Sequence, residues 1–277
     1  MTTAASGRIF ADDLGRRLSV EIPKRIVSLV PSLTEALFTF GAGERVVGVT
    51  RFCEEPADAV RDVPRIGGTK TIQRDDVLGL QPDLVVASAE ENEKEQIEDL
   101  VAAGLTVYVT LPRTVEGAIT MLASLAEVTA TAHGAKSMLD SARSALTSAR
   151  AFAASTPPTR VFCPIWRRPY MSVGAGTYMH DLITVCGGQN VFATRDGHYP
   201  QVTLDEAAAL DPQVLLLPDE PYPFAERHRA EIEAALEATE AVRAGRVHFV
   251  DGKLLSWYGP RIPEAIATVG SWLRTAS

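Results

Sequence analysis

The sequence is short of cysteine, of aromatic residues and of long apolar runs, and each shortage excludes something. Its three cysteines, Cys53, Cys163 and Cys186, form no CxxC pair and cannot all bridge. A disulfide framework is therefore excluded, and buried reduced thiols are expected. No stretch reaches the roughly 18 apolar residues of a membrane span, so no membrane insertion is expected. There is no Lys/Arg run and the net charge is −8, which excludes the basic face that nucleic-acid binding requires. The phosphate-loop pattern GxxxxGK, the HExxH zinc motif and the GxSxG nucleophile elbow are all missing. The five histidines show no i, i+4 pair, which speaks against a bare metal site. The opening Met1-Thr2-Thr3-Ala4-Ala5-Ser6-Gly7-Arg8 lacks a basic start followed by an apolar core. As written the chain reads as cytoplasmic; removal of a signal would place it in the periplasm or at the cell surface.

What is present is ordinary globular composition, 46% hydrophobic and 22% charged, over 277 residues, which is enough for two cored domains. A hairpin opens the chain, with Arg8-Ile9-Phe10 and Arg17 to Val20 flanking Asp12-Asp13-Leu14-Gly15. Strands at 26–30, 46–50, 83–88 and 105–110 then alternate with helices that begin near Pro31 and near Glu91, closed by Gly41 and Gly104. From about 114 to 156 strand signals vanish, and apolar residues at helical spacing predict two helices, the second from about Ala130 to Ala154. Alternation resumes with strands at 160–165, 214–217 and 247–250 and helices over 177–185, 224–238 and 262–273. Such alternation predicts an α/β fold of two Rossmann-like lobes with parallel sheets, joined by one long helix. The expected boundaries are 1–128, 129–158 and 159–277. Asp75 to Val86 is echoed by Asp205 to Leu216, each a short helix, a leucine, a proline break and a strand, which suggests one copy per lobe. Ser32-Leu33-Thr34-Glu35, Ser88-Ala89-Glu90-Glu91 and Thr203-Leu204-Asp205-Glu206 read as capping boxes.

Three segments carry a resemblance. They are Asp12 to Glu35, with its strand-Pro31-Ser32 and Thr34-Glu35 run; Leu80-Gln81-Pro82-Asp83-Leu84-Val85-Val86-Ala87; and Cys186-Gly187-Gly188-Gln189-Asn190-Val191-Phe192 with Tyr199-Pro200-Gln201-Val202-Thr203. In these the chain resembles the helical-backbone (class III) substrate-binding proteins of ABC importers, nearest to the corrinoid- and iron–siderophore-binding members. The resemblance implies two lobes on one long helix, no catalysis, and a bulky metal chelate held between the lobes. It also implies an ABC permease as partner, with Asp75 and Asp205 as the acidic docking residue of each lobe. No intrinsic cofactor is implied, and a monomer is expected. Thr69 and Ser88 stand where B12 binders place tryptophans, which leaves the ligand open between a corrinoid, a siderophore and another chelate.

Ligands of open α/β sheets sit beyond the carboxyl ends of the strands. The residues following each strand give the candidate set Phe52, Lys70, Glu91, Trp166, Arg168, Tyr170, His198, Tyr199, Trp257, Tyr258 and Arg261. Flat rings there would stack on a macrocycle, and arginines would pair with ligand carboxylates or phosphate. Two alternatives remain: a chelatase-like enzyme using His198, His180 and Glu91, and a receptor for a bare transition metal.

Overall fold

The computed structural model describes residues 7–275. The chain divides into two compact units. The first holds the described residues through Pro112, together with Gly117–Asp140 and Tyr258–Pro260. The second holds Arg113–Glu116, Ser141–Trp257 and the described residues from Arg261 onward.

In the first unit, β1 (Arg8–Ala11) and β2 (Arg17–Val20) form the predicted hairpin. It is followed by β3 (Ile26–Ser28), α1 (Pro31–Thr39), β4 (Val46–Val49) and α2 (Ala57–Val60). Then come the two-residue strands β5 (Gly67–Gly68) and β6 (Thr71–Ile72), α3 (Arg74–Gly79), β7 (Leu84–Ser88), α4 (Lys94–Ala102) and β8 (Val107–Thr110). β4-β3-β7-β8 form a parallel sheet in that order. All five residues of β7 are buried, as expected of a central parallel strand covered on both faces. Pro31 opens α1 with a ready-made helical φ. Gly41 closes it at φ +88, where Ala42 N–H reaches the Leu37 carbonyl and Gly41 N–H the Phe38 carbonyl, the paired bonds of a Schellman end.

α5 (Val115–Val128) leads to α6 (Ala132–Ala153). At 22 residues α6 is about 33 Å long, and the unit boundary, between Asp140 and Ser141, falls inside it. The turn before it has Schellman bonds without a glycine: Ala130 sits at φ 54 while Thr131 N–H bonds the Ala126 carbonyl at 2.7 Å.

The second unit continues with β9 (Thr159–Phe162), β10 (Pro164–Trp166), β11 (Tyr170–Ser172), α7 (Tyr178–Val185), β12 (Gly188–Asn190) and β13 (Gln201–Val202). α8 (Leu204–Ala209), β14 (Val214–Pro218), α9 (Arg229–Ala235), α10 (Glu240–Arg243), β15 (Val247–Val250), α11 (Gly252–Ser256) and α12 (Ile262–Arg274) complete it. β12-β9-β14-β15 form a parallel sheet, and β10-β11-β13 a small antiparallel one.

The two parallel sheets share one topology, in which the first strand lies between the second and the third. The echo read in the sequence is an echo of backbone. α3 and α8 bury Val77 and Ala207, end on Leu80 and Leu210, and turn at Gln81 and Asp211 with φ 47 and φ 43. An arginine at the start of each sheet's first strand seals each turn: Arg25, just before β3, donates to the Leu80 carbonyl, and Arg160, the second residue of β9, to the Asp211 carbonyl. Asp83 N–H and Gln213 N–H in turn donate to the Arg25 and Arg160 carbonyls.

Several local expectations are corrected. The strand read over 160–165 breaks at Cys163, and its two halves join different sheets. The helix read over 224–238 is a 3-10 turn at Glu226–His228 followed by the shorter α9. Of the three capping boxes expected from the sequence, Thr203/Glu206 alone forms. α1 begins at Pro31 with no side-chain cap, and α4 begins at Lys94, so neither Ser32/Glu35 nor Ser88/Glu91 caps a helix. Ser88 instead accepts the Glu90 N–H, while Asn92 Oδ1 accepts the Ser88 N–H, which holds 88–92 as a loop.

Candidate functional site

In the first unit the carboxyl ends of β4 and β7 carry two contrasting loops. After β4, Phe52 is 47% exposed, and the Arg51 guanidinium lies 4.9 Å from its ring centroid. Behind it Cys53 is buried against the Thr34 and Thr50 hydroxyls, and burial raises its thiol pKa. After β7, Glu91 is half-buried and Lys70 pairs with Glu93 at 3.6 Å. The phenol of Tyr258 donates to Glu91 at 3.3 Å and meets Ser88 Oγ at 2.7 Å. With its one proton given to Glu91, Tyr258 accepts from Ser88. Burial, and then the Glu91 carboxylate, pushes this phenol well above its usual range. Next to it Gly259 lies close against the start of α1, where a Cβ would fall 3.1 Å from the Ser32 carbonyl oxygen, a tight contact. The crevice between the first and third strands, where open sheets of this topology admit ligands, is thus filled by Tyr258–Pro260.

In the second unit β10 ends on Trp166, which is 42% exposed and packs edge-on against Tyr222, with ring centroids 5.9 Å apart. Tyr222 rests in turn on Phe224 and on His228. His228 Nδ1 accepts the Ala225 N–H, so Nε2 carries the proton and faces the Tyr222 hydroxyl at 3.3 Å. Burial, with Arg227 and Arg167 adding to it, lowers the His228 pKa and keeps the ring neutral. Arg167 is held by Glu231, whose carboxylate also accepts from the Tyr170 hydroxyl at 3.3 Å. Hydrogen bonding to Glu231 raises the guanidinium pKa, and Arg167 in return lowers that of Glu231. Arg168 is exposed, at φ 65. His198 is exposed and Tyr199 half-buried; their loop is pinned where Gly174 N–H meets the His198 carbonyl at 2.7 Å.

Trp257 and Tyr258 are not open rings. They are 8% and 4% exposed. α11 intervenes between β15 and Trp257, and Lys253 and Arg261 lie 5.2 and 5.5 Å from the indole centroid. Arg261 also approaches Asp251 at 4.0 Å. Nearby, Glu220 accepts from the Ser256 hydroxyl at 2.8 Å, and burial raises its pKa.

Sequence reading missed Glu231 and the packed His228. An acid on a polar helix face and a lone histidine give no sequence signal of the arginine or tyrosine they will meet. His180 is half-buried on α7, with Nδ1 3.3 Å from Asn190 Nδ2. Asp75 and Asp205 both lie exposed in the first turn of their helices, α3 and α8, at equivalent places in the echo. Cys163 and Cys186 are unpaired, and burial pushes their thiols up to about 12. Among the described residues no group of three or more His, Cys, Asp or Glu is placed to hold a metal ion, and no helix is long and apolar enough to cross a membrane.

Known proteins share this architecture. The vitamin B12-binding protein of Vibrio cholerae is 26% identical over 253 residues, covering 91% of this chain and 90% of its own. The crystal structure of the periplasmic vitamin B12 binding protein of Vibrio cholerae superposes with a TM-score of 0.81, covering 92% of this chain and 98% of that one. The periplasmic heme-binding protein BhuT, solved in complex with two hemes, is 29% identical with a TM-score of 0.80, over 91% of this chain and 98% of its own. The family described as periplasmic binding protein matches residues 26–254, and this chain is one of its members.

Proposed function

We propose that the chain binds a bulky metal chelate of the corrinoid, haem or siderophore class and presents it to an ABC-type importer. The observation that carries the reading is the likeness to vitamin B12- and heme-binding proteins over about nine-tenths of both chains. The ligand contacts are assigned to the carboxyl-end loops of each unit: Phe52, Lys70 and Glu91 in the first; Trp166, Arg168, Tyr170, His198 and Tyr199 in the second. Tyr258 is assigned to positioning Glu91, to which its phenol donates, and Trp257 and Arg261 to the packing around α11. Exposed rings suit such a ligand, because a stacked aromatic contact adds about 0.5–1.5 kcal/mol beyond area burial, and several are needed against the entropy of association. Asp75 and Asp205 are assigned to docking on a permease, one per unit, where exposed carboxylates would meet arginines. Delivery to an importer places the protein outside the cytoplasmic membrane, like the periplasmic vitamin B12- and heme-binding proteins it resembles.

Absorbance and calorimetric titration with cyanocobalamin, cyanocobinamide, haemin and ferric siderophores tests the reading. Saturable one-to-one binding of at least one chelate, without turnover, is expected. No binding of any of them overturns it, as does metal insertion into a free tetrapyrrole.

A further inference from the structure

Trp166 depends on what lies under it, and that support contains a histidine. All of it belongs to the second unit. Tyr222 lies 5.9 Å from the Trp166 ring, and the rings of Tyr222, Phe224 and His228 pack on one another at 4.8, 5.5 and 5.9 Å. Phe224 is buried in the core of the unit, and His228 is 6% exposed. The turn that brings His228 there is closed by its own ring, whose Nδ1 accepts the Ala225 N–H at 3.1 Å. On the other edge Nε2–H meets the Tyr222 hydroxyl at 3.3 Å, and that hydroxyl also takes a bond from Arg167. One neutral tautomer satisfies both edges of the imidazole.

A second proton on the ring would spoil this arrangement. It would sit on Nδ1 and face the Ala225 N–H, leaving two donors opposed and a backbone group without its acceptor. The new charge would lie beside Arg227 of its own turn and Arg167 of the β10–β11 turn. Glu231 of α9 opposes them, but Arg167 already holds that carboxylate. Burial and the two guanidiniums keep the ring's pKa below the ordinary imidazole value of 6.5. A closed shelf therefore takes up the proton less readily than an open one. The difference is nil well above that value and grows as the pH falls below it.

We infer that His228 positions Trp166 for the ligand: its neutral ring locks the Tyr222–Phe224 shelf, and acid opens the shelf and lowers ligand affinity. The inference rests on Trp166 being a ligand contact and adds proton control to that reading. Two readouts test it between about pH 7.5 and about pH 5, the range over which histidine titrates. The first needs no ligand. Acrylamide quenching of the emission due to Trp166, taken as parent minus Trp166→Phe, is expected to rise about twofold on acidification, since the ring starts 42% exposed, with the far-UV spectrum unmoved. His228→Asn, whose amide oxygen can take the Ala225 N–H but not a proton, is expected to abolish the rise. The second readout is calorimetric titration with cyanocobinamide, or with haemin if that binds instead. Affinity is expected to fall about threefold in the parent, following the fraction of chains with a closed shelf. It is expected to stay level with pH in Trp166→Ala and in His228→Asn, the latter binding more weakly than the parent at neutral pH. Quenching of Trp166 that ignores pH in the parent, or rises equally in His228→Asn, overturns the inference and leaves the chelate-binding reading standing, as does an affinity level with pH in the parent. No binding of any chelate overturns that reading and the proton-controlled affinity with it, whereas the quenching series still decides whether His228 sets Trp166.

Discussion

The tips of the two parallel sheets have the same strand order and opposite treatments. In the first unit the crevice beside β7 is plugged by Tyr258–Pro260, with the Tyr258 phenol buried between Ser88 and Glu91. In the second unit the chain beyond β9 turns aside into β10 and ends on Trp166, which stays 42% exposed on a shelf of Tyr222 and Phe224. Repetition of a fold therefore does not repeat a site. What recurs is the backbone device of helix, leucine, left-handed turn, proline and strand; what differs is whether the loop above it is packed or left open.

Substitutions that push one tip toward the other's condition put this contrast to the test. The largest effect is expected from Tyr258→Ala, which empties a buried aromatic site and removes two side-chain hydrogen bonds. It should cost about 3–5 kcal/mol of stability in urea unfolding, and Tyr258→Phe about 1 kcal/mol. If Tyr258→Ala costs as little as a surface change, the plug is not structural. Trp166→Ala should behave in the opposite way, with stability within about 0.5 kcal/mol of the parent and chelate affinity reduced about tenfold, close to one hot-spot ring.

The echoed helices give a finer comparison. α8 is capped by Thr203 and Glu206, whereas α3 has Gln73 at its N-cap position and no side-chain cap. Thr203→Ala should therefore cost about 1 kcal/mol, while Gln73→Ser should stabilise by a few tenths to about 1 kcal/mol. Equal and opposite responses would sharpen the equivalence of the two copies; indifference at both positions would break it. Ala130→Gly, at φ 54, should raise stability by about 0.5–1 kcal/mol, since only glycine adopts that conformation without cost.

The smallest effect is one of pH. Burial raises the Glu220 pKa in the folded state, so the folded chain holds that proton more tightly than the unfolded one. Its contribution to stability is full below the unfolded carboxyl value and declines as pH rises through the raised one. Glu220→Gln should raise the melting temperature at neutral pH, with the gain shrinking as the pH is lowered through the carboxylate range.

The parallel sheets, the hairpin, the long α6 and the echo were legible because apolar runs, glycine stops and proline breaks have strong local signals. The antiparallel β10-β11-β13 sheet was not, since three strands of two or three residues have no readable period. Exposure at the candidate positions divided in the same way. A strand end followed by a tryptophan picked out Trp166, but the same rule placed Trp257 and Tyr258 in the open. The rule cannot see that α11 intervenes, or that a short stretch near the chain's end returns to a crevice formed more than 160 residues earlier. Long-range pairings such as Arg167 with Glu231 escape any local pattern for the same reason.

Calorimetric titration of the parent chain and of Trp166→Ala with one amide-bearing chelate, cyanocobinamide, bears most directly on the whole account. Saturable binding by the parent, weakened about tenfold in the variant while its unfolding curve is unmoved, is the predicted result. Equal affinities, or no heat from the parent with this or any other chelate, would contradict it.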